Sequence, residues 1–152
     1  MYMKKIMILY LMFVTSLSAS AQTGLKMNEL FQGRIIPQER MVETRVRGKT
    51  LEKYHLTYYR SLRLNATHDE AERLRQLLGQ DAERSIDMQT SRKNPHRWDT
   101  WTCKLQMPSQ GSKNLFLCFQ EEWDKEHEQC MLTVIYMEGT VSSLEELEQL
   151  LK

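Results

Sequence analysis

The sequence has little of what builds linkers, disulfide frameworks or membrane spans. Its 152 residues include only 6 glycines, 3 prolines and 3 cysteines. So little glycine and proline argues against an array of small linked units, and three cysteines form at most one internal disulfide. No apolar run reaches the about 20 residues that a membrane-spanning helix needs. Hydrophobic residues nevertheless make up 41% of the chain and charged residues 27%, which is typical of a globular protein.

Motifs that carry enzyme chemistry are also missing. The sequence contains no C-x-x-C, H-E-x-x-H or G-x-S-x-G motif and no glycine-rich phosphate loop. The acidic run from Glu121 to Glu128 lacks the central glycine of an EF-hand loop. His127 precedes Cys130 by three residues, but no nucleophile motif accompanies this thiol and imidazole. We therefore expect no catalytic residue, no metal and no cofactor, and keep a thiol-dependent enzyme or redox protein as a second alternative.

Residues 1–21 have the three parts of a secretory signal peptide. Lys4 and Lys5 form a basic start, an apolar run follows from Ile6 to Val14, and small residues end the segment at Ala19-Ser20-Ala21. This apolar run is too short to span a bilayer. We therefore expect cleavage after Ala21, a single domain over residues 22–152, no membrane span after cleavage, and a periplasmic or secreted location.

Charge is distributed unevenly along a nearly neutral chain. The formal net charge is +1, yet residues 34–63 hold eight basic and three acidic residues, whereas residues 121–152 hold nine acidic and two basic ones. The two regions either lie side by side as solvated surfaces, or the basic one binds an anionic glycan or lipid headgroup. Near-neutrality together with export makes nucleic acid a poor partner.

Hydrophobic periodicity gives the first half of the fold. Residues 40–47 and 55–64 alternate between apolar and polar side chains, which predicts two strands. Thr67 and Glu70 match a capping box, and the helical stripe that follows should end at Gly79. The stripe consists of Ala71, Leu74, Leu77 and Leu78. Residues 81–97 are polar and give no clear pattern.

Three apolar runs and a final helix complete the prediction. Residues 98–107, 114–120 and 131–137 are rich in β-branched and aromatic residues, which favours strands. Ser142 and Ser143 precede an amphipathic stretch that ends with Leu150 and Leu151. The order β-β-α-β-β-β-α predicts an α+β domain: a mostly antiparallel sheet of about five strands, with the helices packed on one face.

The cysteines leave two readings open. A symmetric hairpin around residues 108–113 would place Cys103 opposite Cys118, within reach of a disulfide. The apolar side chains of both strands are at odd-numbered positions. They share one face only if odd-numbered residues pair with odd-numbered residues, so that the two numbers of each pair have an even sum, and Cys118 then lies on the other face from Cys103. This pattern favours free, largely buried thiols at Cys103, Cys118 and Cys130.

The first two predicted strands offer a candidate binding surface. Arg45, Arg47, Tyr59 and Arg63 lie on the polar sides of these strands, where they would suit a glycan or an anionic ligand. This hypothesis requires all four side chains to lie together on one exposed surface. A second hypothesis for glycan contact is a sugar-stacking platform of Trp98 and Trp101 with Tyr58 and Tyr59, although aromatic residues at strand spacing more often belong to the core or cover an edge.

Several short segments resemble a family of small secreted proteins of unknown function from gut bacteria of the Bacteroides group. The segments are Ala21-Gln22, Asn28-Glu29-Leu30-Phe31 with Gly33, Val42-Glu43-Thr44, Tyr58-Tyr59-Arg60-Ser61-Leu62, and Ile135-Tyr136-Met137-Glu138-Gly139 with Leu144-Glu145-Glu146-Leu147. The resemblance implies an exported single-domain bacterial protein and supplies no catalytic residues. We expect a non-enzymatic periplasmic or secreted module that contacts an envelope protein, and keep glycan or anionic-ligand binding as the alternative.

Overall fold

A computed structural model describes residues 24–152, and in this part of the chain six strands form one antiparallel sheet. The strands are β1 (Val42–Arg47), β2 (Leu56–Ala66), β3 (Asp87–Lys93), β4 (Trp98–Gln110), β5 (Lys113–Asp124) and β6 (Gln129–Gly139). The helices are α1 (Asn28–Phe31), α2 (His68–Glu83) and α3 (Leu144–Leu151), with short 3-10 turns at Gln38–Arg40 and Lys49–Tyr54. The sheet order is β1-β2-β6-β5-β4-β3.

The predicted α+β class with an antiparallel sheet is confirmed, but the sheet has six strands rather than about five. The additional strand is β3, which lies in the polar segment that gave no clear pattern. It is an edge strand and six of its seven residues are exposed. A strand with solvent on both faces has no apolar side to reveal it, so the alternation that marks half-buried strands is absent.

The helices cover both faces of the sheet, so the prediction of helices on one face is wrong. On the first, which we call the α2 face, α1 and α2 pack over residues that include Leu62, Leu117 and Val134. On the opposite, α3 face, Leu144 and Leu147 pack over Phe116 and Met137. The apolar residues of β5 and β6 are nearly continuous because these two strands are buried from both sides.

Helix α2 begins as predicted and ends later. Thr67 accepts a hydrogen bond from the Glu70 amide at 3.2 Å, and the Glu70 side chain accepts one from the Thr67 amide at 3.0 Å. The helix does not stop at Gly79 but continues to Glu83. One helical glycine costs about 1 kcal/mol. Contacts beyond it favour continuation of the helix, because Asp81 is buried and accepts two amide hydrogen bonds and Ala82 packs against the core.

The β4–β5 register separates two of the cysteines. Cys103 lies opposite Phe119 and Cys118 lies opposite Lys104, so the paired numbers have the even sum that a shared apolar face requires. Cys103 therefore faces α2 and Cys118 faces the other side of the sheet. Both are free thiols, as is Cys130.

The predicted signal peptide lies outside the described residues. Within residues 24–152, no helix is both long and apolar enough to cross a bilayer. The described chain starts at Gly24, next to which Leu25 and Met27 are already buried against the α2 face.

Candidate functional site

An open cleft of about 400 Å³ lies on the α2 face, between the first half of α2 and the end of the sheet where β4 starts and β5 stops. Its lining comes from α2, β3, β4 and β5: His68, Arg75, Arg92, Asp99, Trp101, Glu121 and Trp123. A volume of this size lies in the range of small-molecule sites. We call it the tryptophan cleft.

Two half-buried indoles form the apolar part of the cleft. Trp101 packs edge-on against the buried ring of Phe119, with ring centres 5.8 Å apart. Trp123 contacts the exposed ring of His68 at the start of α2, with ring centres 4.7 Å apart. Both indoles also pack against the core cluster, which holds each of them from behind while part of each ring stays accessible.

Two guanidinium–carboxylate pairs form its polar part. Arg75 donates from Nε and Nη2 to the two oxygens of Glu121, each at 3.1 Å. Arg92 donates to the two oxygens of Asp99 at 3.2 and 2.8 Å. Such two-point pairs hold both groups in fixed orientation. The hydrogen bond from Arg92 keeps the pKa of Asp99 below its ordinary value, so this carboxyl is not suited to donate a proton at neutral pH.

The sheet register explains why these residues meet. Trp101 lies directly opposite Glu121, and Asp99 directly opposite Trp123. On the other side of β4, Trp101 lies opposite Arg92. Paired residues project to the same face of a sheet, so three neighbouring strands build one surface. Helix α2 crosses this face and adds His68 and Arg75.

The thiols show no sign of activation. The Cys130 thiol donates to Glu121 Oε1 at 3.6 Å below the cleft, and burial together with this carboxylate raises its pKa to about 12. Burial raises the pKa of Cys118 to about 12 and that of Cys103 above its usual value. Reactive cysteines need the opposite shift, because the thiolate is the nucleophile.

The loop between β5 and β6 brings three potential metal ligands together. Asp124, Glu126 and His127 each place one ligand atom within 4.8 Å of the others. The buried Asp124 carboxylate, however, already accepts hydrogen bonds from the amides of Glu126 and His127 and contacts His127 Nδ1 at 2.8 Å. These contacts shape the loop and account for the position of the carboxylate without an ion. They also hold the His127 ring that the sequence suggested as a partner for Cys130.

The four residues predicted to form a binding surface are not brought together. In the β1–β2 ladder Arg45 lies opposite Arg60 and Arg47 opposite Tyr58, on the α2 face. Tyr59 and Arg63 lie on the α3 face, opposite Val46 and Val42. Tyr59 is half-buried and packs against the α3 cluster. Odd-numbered residues of β1 pair with even-numbered residues of β2, so the two β1 arginines and the two β2 residues project to opposite faces of the sheet. The prediction of a single shared surface is therefore wrong.

The tryptophan cleft follows from the sequence only in part. Trp101 is one of the predicted sugar-stacking residues, but Trp98 lies on the opposite face of β4 and the second indole of the cleft is that of Trp123. The even register sum derived from the apolar pattern of β4 and β5 also pairs Trp101 with Glu121 and Asp99 with Trp123. That signal places two acidic residues between two indoles. Arg75 and Arg92 come from a helix and from an unrecognised strand, so their positions depend on tertiary packing alone.

Comparisons with known proteins give one family and little else. No curated protein sequence matches the chain. Among solved structures, human STARD10 is similar with a TM-score of 0.23 and 10% sequence identity, over 80% of this chain and 69% of that one. This TM-score is too low to indicate a common fold or ligand. A family model described as a family of unknown function, DUF6108, matches residues 14–151. The chain therefore belongs to the DUF6108 family.

Proposed function

We propose that this protein is an exported, non-enzymatic binding module whose tryptophan cleft takes a neutral carbohydrate. The observation that carries the proposal is the combination of two indoles and two guanidinium–carboxylate pairs in one open cleft. Sugars present an apolar ring face and a rim of hydroxyl groups. Indoles stack on the former, and rigid charged groups exchange hydrogen bonds with the latter.

The charge balance of the cleft favours a neutral ligand over an anionic one. Arg75 and Arg92 supply two positive charges, and Glu121 and Asp99 supply two negative ones. Both guanidinium groups already bind a carboxylate at two points. An anion would have to displace a carboxylate from one of these two-point pairs, or add negative charge to a cleft whose charges already balance. Hydroxyl groups can use the remaining donors and lone pairs without displacing anything.

The cleft also favours binding over turnover. Hydrolysis of a glycoside normally needs one carboxyl group whose pKa is raised so that it can donate a proton. Here the guanidinium of Arg92 lowers the pKa of Asp99, and Glu121 is bound by Arg75 at two points. Asp99 therefore lacks the environment of a general acid.

Calorimetric titration with a panel of neutral and anionic oligosaccharides tests the proposal. We expect neutral members to bind, and Trp101→Ala to weaken binding at least about tenfold because its stacking surface is lost. Trp98→Ala is the matched control: it lies on the same strand, three residues away and on the opposite face. Asp99→Asn, which removes one ion pair near the surface, should also weaken binding.

Two results would contradict the proposal. One is equal loss of binding in Trp98→Ala and Trp101→Ala, which would place the ligand elsewhere. The other is a panel in which no sugar binds the folded protein. Circular dichroism of each variant confirms that the comparison is between folded proteins.

Export has a separate test. The basic start, the apolar run and the Ala19-Ser20-Ala21 end of the leader support it. We expect the protein in the envelope or medium fraction, with a mass that begins at Gln22. Recovery of the chain from the cytoplasm with residues 1–21 attached would contradict export while leaving the binding proposal intact.

A further inference from the structure

The outer side of β3 offers an open strand edge. β3 ends the sheet, and no described residue of the range 24–152 pairs with its outer side. Ile86, directly before the strand, is 63% exposed, and Met88 within it is 53% exposed. Proteins usually shorten, bend or cover such an edge because it invites pairing with another strand.

The hydrogen-bond ladder identifies which main-chain groups point outward. The Lys125 amide donates to the Arg97 carbonyl at 3.2 Å, in the position that continues the regular β4–β5 register. Bonded pairs alternate with non-bonded ones, so the odd-numbered residues of β4 bond to β5 and the even-numbered ones to β3. The partners of the even-numbered residues are the odd-numbered residues of β3. The amides and carbonyls of Met88, Thr90 and Arg92 therefore point away from the sheet. The Met88 amide donates to Oδ1 of the neighbouring Asp87 at 2.9 Å, a hydrogen bond that pairing with a second strand would have to replace.

The side chains of β3 are complementary to a second copy of the same strand. In an antiparallel pair with Thr90 opposite Thr90, all seven residues overlap and the outward main-chain groups of the two strands face each other. Asp87 then lies opposite Lys93 at each end, on the α3 face. Met88 lies opposite the aliphatic stem of Arg92 on the α2 face. Opposite charges and an apolar contact recur on both sides of the axis.

We propose that the protein forms a twofold dimer by pairing β3 with β3 of a second copy, so that one sheet runs through both subunits. A contact of a strand with itself is isologous and closes at two subunits. The dimer would place Met88 of the second copy beside Arg92 at the rim of the tryptophan cleft. Dimer formation does not depend on the cleft binding a sugar.

The pairing is expected to be reversible. A strand pair of seven residues with a few flanking side chains lies at the small end of protein interfaces, so we expect a dissociation constant on the order of micromolar. Sedimentation velocity of the purified chain from about 1 to 500 µM covers that range. The wild type should shift from monomer to dimer across it.

Charge reversal tests the register. Asp87→Lys places a lysine opposite Lys93 of the second copy at both ends, and Lys93→Asp places two carboxylates together. Each variant alone should raise the dissociation constant at least about tenfold. The double variant, and a mixture of the two single variants, should return it to near the wild-type value. No other register predicts both rescues.

A proline tests the main-chain contact. Thr90→Pro removes an outward amide and no bond to β4, so the subunit should stay folded but monomeric. Thr90→Val keeps the amide and should dimerise. A wild type that remains monomeric at 500 µM would overturn the proposal, as would a dimer that resists Thr90→Pro or the charge reversals.

Discussion

At the scale of single residues, Asp81 ties the start of the described chain to the core. Its side chain is 0% exposed at the end of α2, and its two oxygens accept hydrogen bonds from the amides of Lys26 at 2.7 Å and Met27 at 2.9 Å. Nearby, the guanidinium of Arg84 binds the Gly24 carbonyl. One carboxylate thus satisfies the buried Met27 amide and the partly buried Lys26 amide.

Asp81→Ala should destabilise the protein by about 2 kcal/mol or more. It leaves the amides of Lys26 and Met27 without an acceptor, and each buried unsatisfied donor costs about 1–3 kcal/mol. Urea denaturation measures the loss. Glu83→Ala, an exposed position two residues further along α2, is the control and should change stability by less than about 0.5 kcal/mol. Equal effects would contradict a specific role for Asp81.

The same carboxyl group predicts a pH dependence. Burial raises the pKa of Asp81 above its usual 3.8 despite the two amide hydrogen bonds. The folded state therefore holds this proton more tightly than the unfolded chain does. The contribution of the group to the free energy of unfolding is largest in acid and is lost as the pH rises through the raised pKa. As the pH rises from below 3.8 through the raised pKa, the wild type should lose stability relative to Asp81→Asn. A constant difference would refute the shift.

At the scale of elements, local chemistry and exposure decide what the sequence reveals. The start of α2 follows from Thr67 and Glu70, because a capping box is a local hydrogen-bond pattern. Its end does not follow from Gly79, because packing over the sheet overrides propensity. β3 could not be predicted for a third reason: both of its faces are exposed, so its sequence has no alternation of apolar and polar residues.

Thr67→Ala should cost about 1 kcal/mol, since the first turn of α2 loses its side-chain acceptor. Thr67→Ser keeps the hydroxyl and should stay within a few tenths of a kcal/mol of the wild type. Thermal and urea unfolding of the two variants side by side checks this. Equal stability would show that the cap contributes nothing in the folded protein.

Gly79→Ala should stabilise the protein by about 0.5–1 kcal/mol. The glycine lies inside α2, and a methyl group built there meets no atom within 4 Å. Alanine has the higher helix propensity and loses less conformational freedom on folding. We expect urea denaturation to show a higher midpoint concentration and an unchanged slope of the unfolding free energy against urea concentration. A fall in stability would mean that this side of the helix is covered in solution.

At the scale of the whole molecule, the sheet separates two apolar clusters, and at one position two of its strands approach each other very closely. β2 joins β6 across the chain, and Gly139 sits where this ladder begins. A methyl group at Gly139 would lie 2.8 Å from Leu56 Cα and closer still to the His55 carbonyl oxygen. Both neighbours are backbone atoms, which cannot rotate away.

Gly139→Ala should therefore destabilise the protein by about 1–3 kcal/mol, because the end of the β2–β6 ladder has to open. Gly79→Ala is its matched control, with the same chemical change and the opposite expected sign. Amide hydrogen exchange should show faster exchange at residues 55–58 in the Gly139 variant. Wild-type stability in this variant would mean that the two strands approach less closely than described.

The two helix-covered faces and the cleft depend on this scale too. The sequence places Leu144 and Leu147 on one side of a helix but does not specify which face of the sheet they cover. Likewise, Arg75 and Arg92 reach the tryptophan cleft only because α2 and β3 flank the same end of β4. Periodicity describes an element relative to itself, so relations between elements have to come from packing.

The β2–β6 ladder also determines when the sheet can finish folding. β1 and β2 form a local hairpin, and β3 to β6 form a meander of neighbours, but residues 56–66 find their main partner only in residues 129–139. During synthesis from the N-terminus, β2 therefore lacks its partner strand β6, and its apolar side chains stay exposed, until nearly the whole chain has been made. Such high contact order slows folding and prolongs the time during which the nascent chain needs protection from aggregation.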